Sequence, residues 1–341
     1  MKKRLFTIVF ASFLLVFSLA FLSRLTVPKY VSASREGNLI SEYYRETEVG
    51  NFHDVIFIGD CEAYSSFIPP LLYESCGITS FVRGSPSQTV AQSYALLCET
   101  LEYETPQAVV LSVYALCREN KASEAYNRMT LDGMRPSLHK LRAVKESIGE
   151  DESVISYFLP LLRFHSRWSE LDGEDVEYLI SRPRVSHNGY FMQKEIVAQD
   201  MTEREKVASP YPIPRQNIEY LDKMLGVCRE LGVALVLVKS PTNSWRYPWY
   251  EEWSAEITQY AEGHGIAYYD LTKHSELIGI DMSLDSYDGG LHLNVTGAEK
   301  TTMYFGEIIN NRHNIKVRTD VRTERVWREK LDIYYKEKTN E

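Results

Sequence analysis

Between residues 51 and 310, short apolar runs alternate with segments of helical period, and that alternation leaves the chain few ways to fold. Residues 55–58, Val-Ile-Phe-Ile, are continuously apolar, as expected of a strand covered on both faces. Further runs at 79–82, 108–113, 233–238 and 266–270 have the length of strands. Between and after them the pattern predicts helices over 69–76, 89–102, 215–231, 249–264 and 296–310. Pro69 suits a first helical turn and Gly77 a helix end, while Val90, Tyr94, Leu97 and Leu101 share one face of the second helix. Strands and helices in this order predict a parallel sheet of about five strands with helices on both faces. In such sheets the active site lies beyond the carboxyl ends of the strands. Cys61, Gly84, residues 112–114 and Lys239-Ser240 all fall there.

Residues 118–214 break the alternation. Within them Tyr157-Phe-Leu-Pro-Leu-Leu-Arg163-Phe-His165-Ser-Arg167-Trp168 sets two arginines one helical turn apart. This stretch reads as a mainly helical insertion bordering the site, with most of its aromatics simply packing it. The α/β domain is expected over 51–311, behind a juxtamembrane linker at 25–50. Residues 312–341 are highly charged and read as a surface helix ending in disorder.

The first 24 residues belong to a different environment. Lys2, Lys3 and Arg4 precede an uncharged, mainly apolar run at 5–22, which Arg24 closes. Its 18 residues suffice to span a hydrocarbon core as one helix. The basic cluster before the run places the N-terminus inside and the domain on the extracytoplasmic side of the cell membrane. A cleaved signal peptide is the competing reading, because Val31-Ser32-Ala33 offers small residues for cleavage. The length of the run favours an uncleaved anchor.

A net charge of -9 leaves no surplus basic face and argues against nucleic acid as a partner. Five cysteines, Cys61, Cys76, Cys98, Cys117 and Cys228, show no metal-type spacing. Cys98, Cys117 and Cys228 sit in apolar surroundings and read as small core residues. A Cys61–Cys76 disulfide is the lesser reading, since Cys76 closes a helix leading away from the turn that holds Cys61. His53, His139, His165, His187, His264 and His274 lack partners at ligand spacing, so no metal and no other cofactor is expected.

Two distant stretches complete each other chemically. Gly59-Asp60-Cys61-Glu62 ends the first strand in a tight acidic turn, and Asp288-Gly-Gly-Leu-His292-Leu-Asn294 precedes Gly297 and the last helix. A nucleophile, a base to take its proton and a group to orient that base are what acyl transfer through a covalent intermediate requires. Here the nucleophile is a thiol. His292 would accept its proton or pair with the thiolate, and Asp288 would fix the imidazole tautomer. The amides of Cys61 and Gly84 form the natural oxyanion hole. An inert Cys61 is the plainer reading of that residue. Asp288 also reads as a turn residue ahead of Gly289-Gly290, with Asp285 in reserve. Ser65 and Ser66 miss the turn position.

The order Gly59-Asp60-Cys61, Arg83-Gly84, a third-strand end, then Asp288…His292-Leu-Asn294…Gly297 resembles the SGNH/GDSL hydrolase superfamily. It is most similar to membrane-anchored bacterial members related to proteins that help acylate teichoic acids and exopolysaccharides. The similarity covers residues 54–310 apart from the insertion and is most specific in the histidine block. It implies a flavodoxin-like three-layer α/β/α fold. It also implies an extracytoplasmic O-acyl esterase or acyltransferase acting on a cell-envelope polysaccharide or teichoic-acid-like polymer through Cys61, His292 and Asp288. A membrane-bound O-acyltransferase is the partner it suggests. The sequence departs from the family in carrying Cys61 in place of serine and in spacing Asp288 four residues, not three, before His292. Ser112 stands where many members have an oxyanion-hole asparagine, and it is expected to take that place. Asp60, Arg83, Lys239 and Asn294 are expected to bind substrate, with Trp245, Trp249 and Tyr250 near the strand ends. The two substitutions also motivate a second reading, a catalytically inactive SGNH-fold binding or assembly protein for envelope polymer modification.

Overall fold

The structure, a computed structural model, describes residues 2–28, 39–181, 183–198, 213–244 and 247–339. Five strands form one parallel sheet: β1 (Val55–Gly59), β2 (Ser80–Gly84), β3 (Ala108–Ser112), β4 (Ala234–Lys239) and β5 (Ala267–Asp270), in the order β2-β1-β3-β4-β5. All four pairings are parallel, and Phe57 of β1 lies opposite both Val82 and Val110. The expected strands are all present, their ends moved by one or two residues.

Around the sheet run α1 (Lys2–Thr26), α2 (Leu39–Glu48), α3 (Cys61–Ser66), α4 (Pro69–Cys76), α5 (Val90–Tyr103), α6 (Glu124–Leu131) and α7 (Leu138–Ser147). They are followed by α8 (Leu161–Phe164), α9 (Gly173–Ile180), α10 (Arg215–Glu230), α11 (Tyr250–His264), α12 (Ser275–Ile278), α13 (Val295–His313) and α14 (Val321–Thr339). Strand residues alternate between the two faces. Ile56, Ile58, Val109, Leu111, Leu235 and Leu237 pack with α2, α5, α10 and α11. Val55, Phe57, Val110, Val236 and Val238 pack with Tyr64, Phe67, Leu72, Phe305 and Ile309 of α3, α4, α13 and the turn between α3 and α4. The result is a three-layer α/β/α fold.

Three parts of the chain depart from the expected boundaries. Residues 39–48 form α2, whose Leu39, Ile40, Tyr43 and Tyr44 are buried in the body rather than belonging to a linker. In the charged tail α14 buries Trp327, Lys330 and Tyr334. Trp327 stacks on Tyr73 of α4 at 5.2 Å, and Lys330 Nζ pairs with Glu46 of α2 at 2.7 Å. Spacings of three and four residues put these side chains on one helical stripe that the surrounding charge conceals. The insertion contributes α6, α7 and the turn between them, which pack on α5 through Leu131, Met134, Ala143 and Val144. It then returns to the sheet, where Val82 donates its amide hydrogen bond to Asn188 O at 2.9 Å and Phe191 donates to Tyr64 O at 2.9 Å. All five cysteines are free thiols, including Cys61 and Cys76. Residues 31–33 and Trp245 lie outside the described residues.

Candidate active site

The Cys61 turn begins where β1 meets β3. A Cβ at Gly59 would stand 2.5 Å from Ser112 Cβ, so only glycine lets the strand end pass this close to its neighbour. Asp60 then leaves the strand in extended conformation, and its side chain accepts a hydrogen bond from Glu62 N at the start of α3. Its second oxygen is ion-paired with Arg118. Cys61 is the first residue of α3 and is partly exposed. The helix stops after six residues, because Pro69-Pro70 starts α4 and forces the preceding residue into extended backbone.

The histidine comes from the loop before α13. Gly289 and Gly290 both hold positive φ, 80° and 93°, which folds the loop back on itself. Asp288 therefore reaches His292 twice: Oδ1 accepts from the backbone N at 2.8 Å and Oδ2 faces Nδ1 at 2.5 Å. Ser286 Oγ braces the turn by accepting from Gly290 N at 2.7 Å. The ring stacks on Tyr287, with centroids 5.8 Å apart and planes 17° from parallel. Cys61 lines the same cleft as the ring. The four-residue spacing is thus served by the glycine pair.

Burial by itself would lower the His292 pKa. The negative charge of Cys61 and the hydrogen bonds of Asp288 and Cys61 outweigh it and hold the imidazole well above its ordinary value. For Asp288 burial acts upward, but its hydrogen bonds and charge interaction with His292 leave it below the ordinary aspartate value. The imidazole thus has a carboxylate on its Nδ1 side and opens on the cleft that Cys61 also lines.

Cys61 and His292 open onto a cleft of about 390 Å³ walled by Tyr64, Tyr114, Tyr126, Tyr247 and Arg118. Tyr126 and Met129 of α6 belong to the insertion and line this cleft. Glu62 also lines the cleft while almost wholly buried, paired with Lys239 Nζ at 2.8 Å. Burial pushes its carboxyl up to about 7, against the opposing charge of Lys239.

Several expected site residues sit elsewhere. Arg83 is fully buried behind the sheet, with Nη2 on Glu99 at 2.7 Å and Nη1 on Thr100 Oγ1 at 2.8 Å, and its guanidinium lies 4.2 Å from the Tyr43 ring centroid. Lys239 is spent on Glu62, Ser240 O and Thr242 Oγ1. Asn294 caps α13 by accepting from Thr296 N and Gly297 N, and donates to Leu284 O. Asp60 is fully buried as a cap and a partner of Arg118. Ser112 lies under the turn, 3 % exposed, and its hydroxyl does not reach the cleft. None of these five side chains lines the cleft. Gly84 does stay beside the nucleophile turn: a Cβ there would come within 3.2 Å of Gly59 O. Asp285 pairs with Lys300 at 2.6 Å, outside the His292 network. Trp249, just before α11, and Tyr250, its first residue, are buried in the core. The strand-end rule pointed to residues 112–114 and so to Tyr114, but Arg118, Tyr126 and Tyr247 carried no sequence signal of their own.

No family model matches the sequence, and no curated protein matches it. Among solved structures, it is similar to a GDSL-like lipase from Bacteroides thetaiotaomicron at 11% identity and a TM-score of 0.38, over 80% of this chain and 98% of that one. It is also similar to the lipase/acylhydrolase from Enterococcus faecalis at 12% identity and a TM-score of 0.38, over 78% of this chain and 99% of that one. At such scores the chemistry of the site has to be derived from its own geometry.

Proposed function

We propose that this protein is an SGNH/GDSL-type acyl-transfer enzyme, with Cys61 as nucleophile, His292 as acid and base, and Asp288 as the carboxylate that orients it. One observation carries the reading: His292, held by Asp288 at ring and backbone, lines the same cleft at the strand ends as Cys61. The Cys61 sulfur attacks the ester carbonyl, and the amides of Cys61 and Gly84 receive the developing oxyanion. His292 gives its Nε2 proton to the departing alkoxide as the C–O bond breaks, leaving an acyl thioester on Cys61. Water or a sugar hydroxyl then attacks the thioester, gives its proton to His292, and releases the thiolate. Asp288 keeps Nδ1 protonated throughout, so that Nε2 always faces the reacting atoms.

The tyrosine walls suit stacking against sugar rings, which supports an O-acylated cell-envelope polysaccharide or teichoic-acid-like polymer as substrate. The apolar run of α1 supports a single-pass anchor with the domain on the extracytoplasmic side. A membrane-bound O-acyltransferase is the partner that this reading adds. A non-catalytic binding protein draws on one observation, the Ser112 hydroxyl buried out of reach of the cleft. Hydrolysis of a chromogenic acetate ester separates the two. Cys61→Ala and His292→Ala each abolish it in the catalytic reading, and Cys61→Ser retains a measurable part. Equal rates in wild type and both alanine variants favour the binding protein.

A further inference from the structure

The α8–α9 region of the insertion is built against the end of α1. Ser23 and Thr26 are the buried residues of that helix, the contacts come from α8, α9 and the turn between them, and Arg167 Nη1 donates to Thr26 O at 2.9 Å. Where α1 crosses a bilayer, residues 5–22 rise about 27 Å and fill a hydrocarbon core of about 30 Å. Ser23–Thr26 then lie at the headgroups, and anything packed on them lies at the same height, since packed helices sit about 8–10 Å apart. At that height the region exposes apolar side chains: Leu162, Val176, Trp168 at 73 % and Ile180 at 83 %. Val176 and Ile180 are four residues apart on α9 and share a face. A solvated hairpin has no use for these residues. An interfacial one does, because tryptophan concentrates at the headgroup boundary.

We propose that the α8–α9 hairpin lies in the membrane interface, with Leu162, Trp168, Val176 and Ile180 entering the boundary between headgroups and acyl chains of the bilayer that α1 crosses. The inference rests on α1 being an uncleaved anchor and is independent of the chemistry at Cys61. Glu170, Glu174 and Glu177 share the hairpin, so apolar insertion, not attraction to anionic lipid, drives the contact. The hairpin and α1 together fix the domain, and with it the cleft, at one height and tilt above the lipid.

The test uses the full chain reconstituted into phosphatidylcholine vesicles carrying bromines on the acyl chains close to the headgroup. Trp249, Trp253 and Trp327 are buried, which leaves Trp168 as the exposed reporter among the described residues. The expected result is flotation with the vesicles and quenching of tryptophan fluorescence, most of it lost in Trp168→Phe and unchanged by added salt. A chain that does not float overturns the anchor and the docking with it. A chain that floats but is not quenched, or is quenched equally in Trp168→Phe, overturns the docking alone. Quenching abolished by salt also overturns it, since that is the mark of headgroup charge.

Discussion

At the scale of single residues the site is held together by what lies behind it. Asp288 holds His292 by both backbone and ring, so Asp288→Asn loses the tautomer while keeping the turn. Ester hydrolysis should fall by about 10²–10⁴-fold in kcat with KM little changed, as for the loss of an orienting carboxylate. The pair also has a pH signature. His292, raised in the fold, contributes stability that is fully present below about pH 6.5 and lost as pH rises through its higher folded value. Asp288, lowered in the fold, contributes stability present above about pH 3.9 and lost as pH falls through its lower folded value. Denaturation midpoints should therefore show Asp288→Asn less stable than wild type near neutrality, with the gap closing in acid. A gap that widens in acid contradicts the pairing. Arg83 gives the converse test. Arg83→Ala leaves Glu99 buried without its partner and should cost about 3–5 kcal/mol of stability, while the folded fraction keeps its KM. A raised KM in a stable variant would restore Arg83 to the substrate site.

At the scale of elements, the sheet and its covering helices were legible because each obeys one period. Ile56 and Ile58 face one layer and Val55 and Phe57 the other, and helices over 69–76 and 249–264 are found almost as their signals place them. The positions of the Cys61 turn and the His292 loop were legible because strand ends and a glycine pair have few alternatives. Arg83, Lys239, Asp60 and Asn294 were misread because sequence position puts a residue at a strand end without saying which way its side chain turns. Burial then decides: a charge carried inward must meet a partner, and Glu99, Glu62 and Arg118 supply those partners. What charge hid in the tail was the burial of its helix. α14 shows mostly Lys, Arg and Glu, and only the spacing of Trp327, Lys330 and Tyr334 marks a buried stripe. Trp327→Ala should accordingly cost about 3–5 kcal/mol, read from the shift of the urea midpoint. A neutral result would mean that α14 is a surface appendage after all.

At the scale of the molecule, an apolar helix, an α/β body and an insertion that touches both give the chain a fixed axis. The insertion contributes Tyr126 to the cleft at one end and packs on α1 at the other. The cleft and the apolar helix thus both meet the one segment that breaks the βα alternation. The central claim concerns the cleft itself, that Cys61 carries an acyl group during turnover, and it is open to direct observation. Mixing the protein with an activated acyl ester and quenching in acid within one turnover should show, by intact mass and peptide mapping, a single acyl adduct. The account predicts that adduct on Cys61, labile to hydroxylamine at neutral pH as a thioester is, and absent from Cys61→Ala. An adduct on a serine, or ester turnover with Cys61 never modified, would contradict it.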